Sequence, residues 1–334
     1  MRRVQEKRSG TTAPRGRPPE GGHRRERRAR VRQADSELRR EGVDATIAWH
    51  PSTAGPSAGP SRVPTVPADA AADRIVADRY RLSTLLGTGG MGAVWLAEDA
   101  VLGRVVALKQ FTDRRNRACA LPEARAAARI THPGVVRVYD LALDEEDDWI
   151  VMEALPGESL AAIIRERGRL PVEEVTQLAV QLLSALQAIH DVGLVHRDIK
   201  PSNIQVCGGG RVVITDFGLS SPGGVSGGLR VGALTGSLPY MAPETLIDGN
   251  FGPPSDMYAL GVTLYIAVEG RPPFEPGGPL SVLDSARSAR PEPARHAGSL
   301  AQVLDGLLDK DPERRMDIAR AAELLRATAL VTTT

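Results

Sequence analysis

Eight consecutive residues, His196-Arg197-Asp198-Ile199-Lys200-Pro201-Ser202-Asn203, bring a carboxylate, an ammonium and a carboxamide into one short stretch of chain. An aspartate here can accept or orient the proton of an attacking hydroxyl. A lysine two residues on can offset the charge of a migrating phosphoryl group, and an asparagine five residues on can bind a metal ion. A second carboxylate follows in Asp216-Phe217-Gly218, where the glycine lets the backbone turn sharply. Alone that tripeptide is an ordinary turn; its position one short hairpin after the first run makes Asp216 a candidate ligand for a metal that bridges phosphates. Residue usage adds weight. The only lysines are Lys7, Lys109, Lys200 and Lys310, and the only asparagines are Asn116, Asn203 and Asn250, in a chain rich in Ala, Arg, Gly and Pro. A lysine spent in such a chain is read as one that arginine cannot replace.

The partners of this chemistry lie upstream. Gly87-Thr88-Gly89-Gly90-Met91-Gly92-Ala93-Val94 has the pattern G-x-G-x-x-G-x-V, whose bare backbone can approach phosphate oxygens and present N–H groups to them. It lies between two strand-like runs and no helix opens after Gly92, which argues against a dinucleotide-binding turn. Val106-Ala107-Leu108-Lys109 then puts a lysine on the next strand, where a triphosphate under the glycine loop would sit. Such a lysine needs an anion to hold it, and Glu123 in the following segment is the best candidate, its bland alternative being a solvated helical carboxylate.

The elements that must position these groups can be read from periodicity. Tyr80–Leu86, Ala93–Glu98 and Val105–Phe111 alternate as strands joined by the glycine-rich turn and by Asp99–Gly103, and Val135–Leu143 and Trp149–Glu153 read as two more. Arg117–Ile130 is helical in texture and stops at His132-Pro133-Gly134. Beyond Gly157 helices dominate, the clearest being Val172–Asp191, whose apolar positions follow a 3.6-residue period. A short hairpin over Ile204–Cys207 and Val212–Thr215 comes next, then helices around 255–268, 280–289, 300–308 and 318–327. The expected class is α+β: a small antiparallel β lobe with one main helix (75–154), a larger mainly α lobe (155–329), a cleft between them, and a tail at 330–334.

Residues 1–74 have a different texture. From Arg2 to Glu41 there are fourteen Arg or Lys against six Asp or Glu, followed by Pro/Gly/Ser/Ala-rich sequence without hydrophobic period, so the segment is expected to be a disordered basic extension. Such an arm could touch an acidic surface, although a solvated tail is the commoner outcome of a charge run. Over the whole chain the formal charge is +1, which does not argue for a specific nucleic-acid partner. Two cysteines without metal-ligand spacing fit a reducing cytoplasm, and no stretch reaches ~18 consecutive apolar residues, so no transmembrane segment is expected.

Taken in order, Gly87–Val94, Lys109, Glu123, His196–Asn203, Asp216–Gly218 and Ala242-Pro243-Glu244 resemble the protein-kinase signature set over about residues 78–329. The composition and the Gly-Thr-Gly-Gly-Met-Gly loop look like the eukaryotic-like (Hanks-type) serine/threonine kinases of actinobacteria, and Lys200 resembles the serine/threonine rather than the tyrosine pattern. The resemblance implies transfer of the ATP γ-phosphate to Ser/Thr hydroxyls of protein substrates, with Mg²⁺, or Mn²⁺ in its place. It assigns Asp198 as proton acceptor and Lys200 as its partner, Lys109 and Glu123 as the phosphate clamp, and Asn203 and Asp216 as metal ligands. Gly87 to Gly92 would cover the phosphates. Leu86, Val94, Ala107 and Leu155 would sandwich adenine, Met152 would be the gatekeeper, and Glu153 and Leu155 would offer hinge backbone. For these apolar positions plain core packing is the standing alternative.

The resemblance further implies that Ser237 bridges Asp198 and Lys200, that Asp256 supports the catalytic loop, and that Glu244 pairs with Arg315. It also admits a homodimer through the small lobe. The activation segment departs from the pattern: it is glycine-rich, with Leu229 and Val231 where a threonine pair is expected, leaving Ser220, Ser221, Ser226 and Thr235 as candidate autophosphorylation sites. The family's bacterial members often carry a membrane span and sensor domain after the kinase; this sequence runs to Thr334 with neither. Two other classes fit the sequence less well. A pseudokinase scaffold usually shows loss of the lysine, the catalytic Asp or the metal Asp, none of which is lost, and a small-molecule kinase is disfavoured by Ala242-Pro243-Glu244 and Lys200.

Overall fold

The computed structural model describes residues 74–89, 92–111, 124–143, 147–216, 237–274 and 289–331. A six-stranded antiparallel sheet opens the described chain: β1 (Ile75–Val76), β2 (Tyr80–Gly89), β3 (Gly92–Asp99), β4 (Arg104–Phe111), β5 (Val138–Leu143) and β6 (Asp148–Glu153), in the order β1-β2-β3-β4-β6-β5. Register decides which side chains share a face. Val94 lies opposite Lys109, Lys109 opposite Ile150, and Ala107 opposite Met152. Successive residues alternate sides, so Val94, Ala107, Lys109, Ile150 and Met152 line one face. The other face buries Val76, Tyr80, Leu82, Ala97, Val106, Leu108, Trp149 and Val151 as a core of its own.

The rest of the described chain is mainly helical. Ser159 caps α1 (Leu160–Arg167) by accepting from the Ala162 N–H at 3.2 Å. Helix α2 (Val172–Asp191) has the bounds its periodicity predicts and buries Val175, Leu178, Ala179, Leu182, Leu183, Leu186 and Ile189. A second sheet joins β7 (Gly157–Ser159), which precedes α1, to β8 (Ile204–Cys207) and β9 (Val212–Ile214), which follow the run His196–Asn203, with β8 in the middle. Then come α3 (Pro243–Asp248), α4 (Pro253–Glu269), α5 (Ala301–Leu307) and α6 (Ile318–Val331). Every residue of α4 from Ser255 to Glu269 is buried. A helix buried on every side belongs in the centre of a core, and α4 holds the run His196–Asn203 through Asp256.

Several elements differ from the sequence reading. β1, β7, α1 and α3 are additional, and Val135–Arg137 is not strand: Val135 makes only an isolated parallel bridge to Ile214. Ala124–Ala127 is helical. Residues 1–73 of the N-terminal extension, 280–288 of the expected helix over 280–289 and the candidate phosphorylation sites at Ser220, Ser221, Ser226 and Thr235 lie outside the described residues.

Candidate active site

The run His196–Asn203 connects α2 to β8, and a buried carboxylate holds it. Asp256, 1% exposed on the first turn of α4, accepts from the His196 N–H and the Arg197 N–H at 2.8 Å each, and its Oδ2 lies 2.8 Å from His190 Nε2. Arg197 has φ 68°, a left-handed conformation that costs a non-glycine residue on the order of 1–3 kcal/mol. Two charge-assisted backbone bonds to one buried carboxylate offset that cost. His196 is fully buried, with Nε2 2.9 Å from the Thr215 carbonyl and Nδ1 3.3 Å from the Asp198 N–H. The ring therefore donates from Nε2 and accepts at Nδ1, which is the neutral tautomer. Burial pushes its pKa down, in the same sense. His196 thus ties the Asp198 backbone to the strand end that delivers Asp216.

Asp198 is fixed at both oxygens. Its Oδ1 accepts from Ser237 Oγ at 2.7 Å, and its Oδ2 from Asn203 Nδ2 and Lys200 Nζ at 2.8 Å each. Lys200 also donates to Ser237 Oγ at 2.8 Å, closing a ring of three groups. Asn203 Nδ2 reaches the Asp198 carbonyl as well, at 2.8 Å, so one carboxamide locks both backbone and side chain of that residue. Burial first, then the Asp198 charge, push the nearby Tyr240 phenol up to about 12, and it stays neutral.

From β4, Lys109, 6% exposed, donates to Asp216 Oδ1 at 2.7 Å. Desolvation would raise the Asp216 carboxyl; the Lys109 ammonium outweighs it and holds the group below the usual carboxylate range. Asp216 shares with Arg197 an unusual backbone, with φ 55°. Of the four left-handed non-glycine residues described, Ala77 and Asp78 turn the chain between β1 and β2, whereas Arg197 adjoins Asp198 and the fourth is Asp216 itself. Asn203 spends its Nδ2 on Asp198, leaving Oδ1 with a 3.4 Å contact from Ser202 Oγ, and Lys109 occupies only one oxygen of Asp216. One carboxylate and one amide oxygen form a hard donor set that fits Mg²⁺, an ion that keeps water and takes phosphate oxygens. Among the described residues no group of three or more His, Cys, Asp or Glu could hold a metal unaided.

A family model described as the protein kinase domain matches residues 80–326. The chain belongs to the protein kinase family. The chain is 38% identical over 219 residues to "Serine/threonine-protein kinase PknA" of Mycobacterium tuberculosis, covering 61% of this chain and 50% of the relative. It is 34% identical over 273 residues to "Serine/threonine-protein kinase PksC" of Streptomyces coelicolor, covering 75% and 49%. With "Serine/threonine-protein kinase PrkC" of Bacillus subtilis the figures are 32% over 263 residues, covering 74% and 40%. The chain therefore spans about half the length, or less, of these curated relatives. The crystal structure of Rad53 1-466 in complex with AMP-PNP superposes with a TM-score of 0.64 at 26% identity, covering 73% of this chain and 64% of that one. Protein kinases as a family use ATP and a divalent metal ion.

The residues singled out from sequence fall into four groups. Asp198, Lys200 and Asn203 share one set of contacts, Lys109 and Asp216 form a direct ion pair, and the Lys200 charge acts on Asp216. Val94, Ala107, Met152 and Leu155 belong to or pack against the main core on the cleft side, whereas Leu86 is 46% exposed. Gly87, Thr88, Gly89 and Gly92 form the ends of β2 and β3. Glu123, Gly90, Met91, Phe217 and Gly218 lie outside the described residues. Sequence reasoning missed His190 and Arg211. The first sits on the last turn of α2 against Asp256; the second joins Glu153 from a glycine-rich turn. Among the described residues no helix is long and apolar enough to cross a membrane.

Proposed function

We propose that this chain is a serine/threonine protein kinase, with residues 75–329 as the catalytic domain, that transfers the γ-phosphate of ATP to hydroxyls of protein substrates. The observation that carries the reading is the ring of Asp198, Lys200 and Ser237 facing the Lys109–Asp216 pair. Asp198 orients the acceptor hydroxyl; that its Oδ1 already takes a hydrogen bond from the Ser237 hydroxyl at 2.7 Å supports this role. Lys200 has three donors, and its two contacts here leave one for an oxygen of the transferring group. Lys109 clamps the α/β-phosphates, and adenine lies between Val94, Ala107 and Leu155 against the backbone of Glu153–Leu155. Asn203 and Asp216 would hold Mg²⁺, or Mn²⁺ in its place, which supplies neutralisation of phosphate charge when bound. The residues themselves act by positioning and by electrostatics in a water-poor site, where a misplacement of about 1 Å costs on the order of 10²-fold.

A protein acceptor is supported by Ser237–Tyr240 packing beside Asp198 and by the buried Glu244–Arg315 pair that anchors the segment after it. The reading extends to autophosphorylation and to bacterial signalling in the cytoplasm. Purified protein incubated with γ-labelled ATP and Mg²⁺ is expected to label itself or a generic protein substrate, and Asp198→Asn to lose that labelling. Equal labelling by the variant removes Asp198 from its assigned role.

A further inference from the structure

The hinge between sheet and helices is tied down by a side chain to which phosphoryl transfer assigns no part. Arg211 stands between the Gly208–Gly210 turn and β9. Its Nη1 and Nη2 donate to Oε1 and Oε2 of Glu153 at 2.7 and 3.0 Å, and its Nε donates to the Pro133 carbonyl at 2.8 Å. One planar fork therefore gathers three separate pieces of chain: the end of β6, the loop before β5 and the β8–β9 hairpin. Lysine, a point charge without a fork, cannot reproduce all three bonds. The two side chains are 36% and 22% exposed. Hydrogen bonding to Arg211 holds the Glu153 carboxyl below its usual range against the opposing effect of burial.

The surroundings of the fork are anchored on every side. The loop that offers Pro133 also docks on β9: the Val136 N–H donates to the Ile214 carbonyl at 3.0 Å, and the Ile214 N–H to the Gly134 carbonyl at 2.8 Å. From α2, Gln181 donates to the Gly210 carbonyl at 2.9 Å and accepts from the Val212 N–H at 3.1 Å, so it brackets Arg211. The Glu153 N–H donates to the Arg137 carbonyl at 2.9 Å. Ile214, where the loop docks, is two residues from Asp216.

We propose that Arg211 is a positioning residue for the nucleotide: by joining Glu153 to β9 it holds the hinge peptide Glu153–Leu155 in register with Asp216 before ATP arrives. The inference rests on the reading of the cleft as an ATP site and deepens it. The adenine end and the phosphate end of that site belong to different parts of the chain; Lys109 joins β4 to Asp216, and Arg211 is the side-chain link that joins the hinge peptide itself to β9. With the link cut, the hinge must be ordered at the moment of binding, and apparent affinity falls by the fraction of molecules already competent. Asp198, Lys200 and Ser237 do not touch Arg211, so the step after binding is unaffected. The signature is a raised KM for ATP at nearly constant kcat, the opposite of damage to the catalytic loop.

The test compares Arg211→Gln, Arg211→Lys, Glu153→Gln and the double variant Arg211→Gln/Glu153→Gln with the wild-type chain. KM for ATP and kcat are measured on a generic protein substrate, Kd for Mg·ADP by calorimetry, and Tm by scanning. Arg211→Gln is expected to raise KM for ATP and Kd for Mg·ADP roughly three- to tenfold, with kcat within about twofold. Glu153→Gln should match it, the double variant should be no worse than either single one, and Arg211→Lys should fall between. A lowered Tm with unchanged KM and Kd means a merely structural pair and overturns the proposal, as do single effects that multiply in the double variant. A wild-type chain that binds no Mg·ADP overturns the ATP reading itself, an outcome visible before any variant is compared.

Discussion

Replacing Asp256 by asparagine changes one buried atom and tests whether the catalytic run is held from α4. The carboxylate now accepts two backbone N–H groups, of His196 and Arg197, and contacts His190 Nε2, all at 2.8 Å. An asparagine can keep its carbonyl oxygen on Arg197, but its NH₂ then faces the His196 N–H, donor against donor. That leaves a buried backbone donor unpaired, at about 1–3 kcal/mol, and the surviving bond loses its charge assistance, roughly half its strength. The sum is about 2–4 kcal/mol, comparable to the strain of ~1–3 kcal/mol that the left-handed Arg197 stores, so the loop relaxes. For a domain of this size each kcal/mol is worth about 2–4 °C, so Tm should fall by roughly 5–15 °C. Asp198 then moves, and a displacement near 1 Å lowers kcat on the order of 10²-fold. KM for ATP should change little, because Lys109 and the hinge do not touch Asp256. Steady-state kinetics below the lowered Tm, with calorimetric scans, measure both effects. A variant with kcat within about threefold of wild type and Tm within ~1 °C shows that Asp256 does not hold the loop.

Two further outcomes concern stability. Asp99 is fully buried against Arg79, whose Nε and Nη2 donate at 2.8 and 2.9 Å, and that hydrogen bonding lowers its pKa to about 2 against the opposing effect of burial. A depressed carboxylate contributes stability above its unfolded value of ~3.9 and loses it as pH falls towards the folded one, so about 1 kcal/mol should go between pH 7 and pH 3. Urea midpoints should show Asp99→Asn lacking that share; identical acid losses in both proteins exclude it. Arg315, whose guanidinium is 0% exposed, pairs with Glu244 at 2.6 and 2.9 Å and donates to the Pro254 and Asp309 carbonyls. Arg315→Met should cost ~3–5 kcal/mol by leaving a carboxylate unpaired, and adding Glu244→Gln should recover part of it; strictly additive losses contradict this.

How much could be read beforehand depended on how locally each feature is encoded. The strands from Tyr80 to Phe111 and helix α2 were legible because alternation and a 3.6-residue period are properties of contiguous sequence. Gly157–Ser159 gave no such signal: it is three residues long and becomes a strand only by pairing with β8, some 48 residues on. Helix α1 buries only Leu160 and Ile164, too few to show a period. The catalytic run was legible because lysine and asparagine are scarce in this chain. The choice of carboxylate for Lys109 was not: sequence favoured Glu123, which lies outside the described residues, whereas the described contact is with Asp216, 107 positions away. The Arg211–Glu153 pair spans 58 positions and joins two common residue types, so only the fold brings it into view.

In the function proposed above, Asp198 and its neighbours direct phosphoryl transfer to an aliphatic hydroxyl on protein. Phosphoamino-acid analysis of a generic protein substrate, labelled by this chain with γ-labelled ATP and Mg²⁺, tests it most directly. Phosphoserine and phosphothreonine are expected from the wild-type chain and neither from Asp198→Asn. Label on tyrosine, label confined to a sugar or aminoglycoside acceptor offered alongside, or equal label from the variant would contradict it.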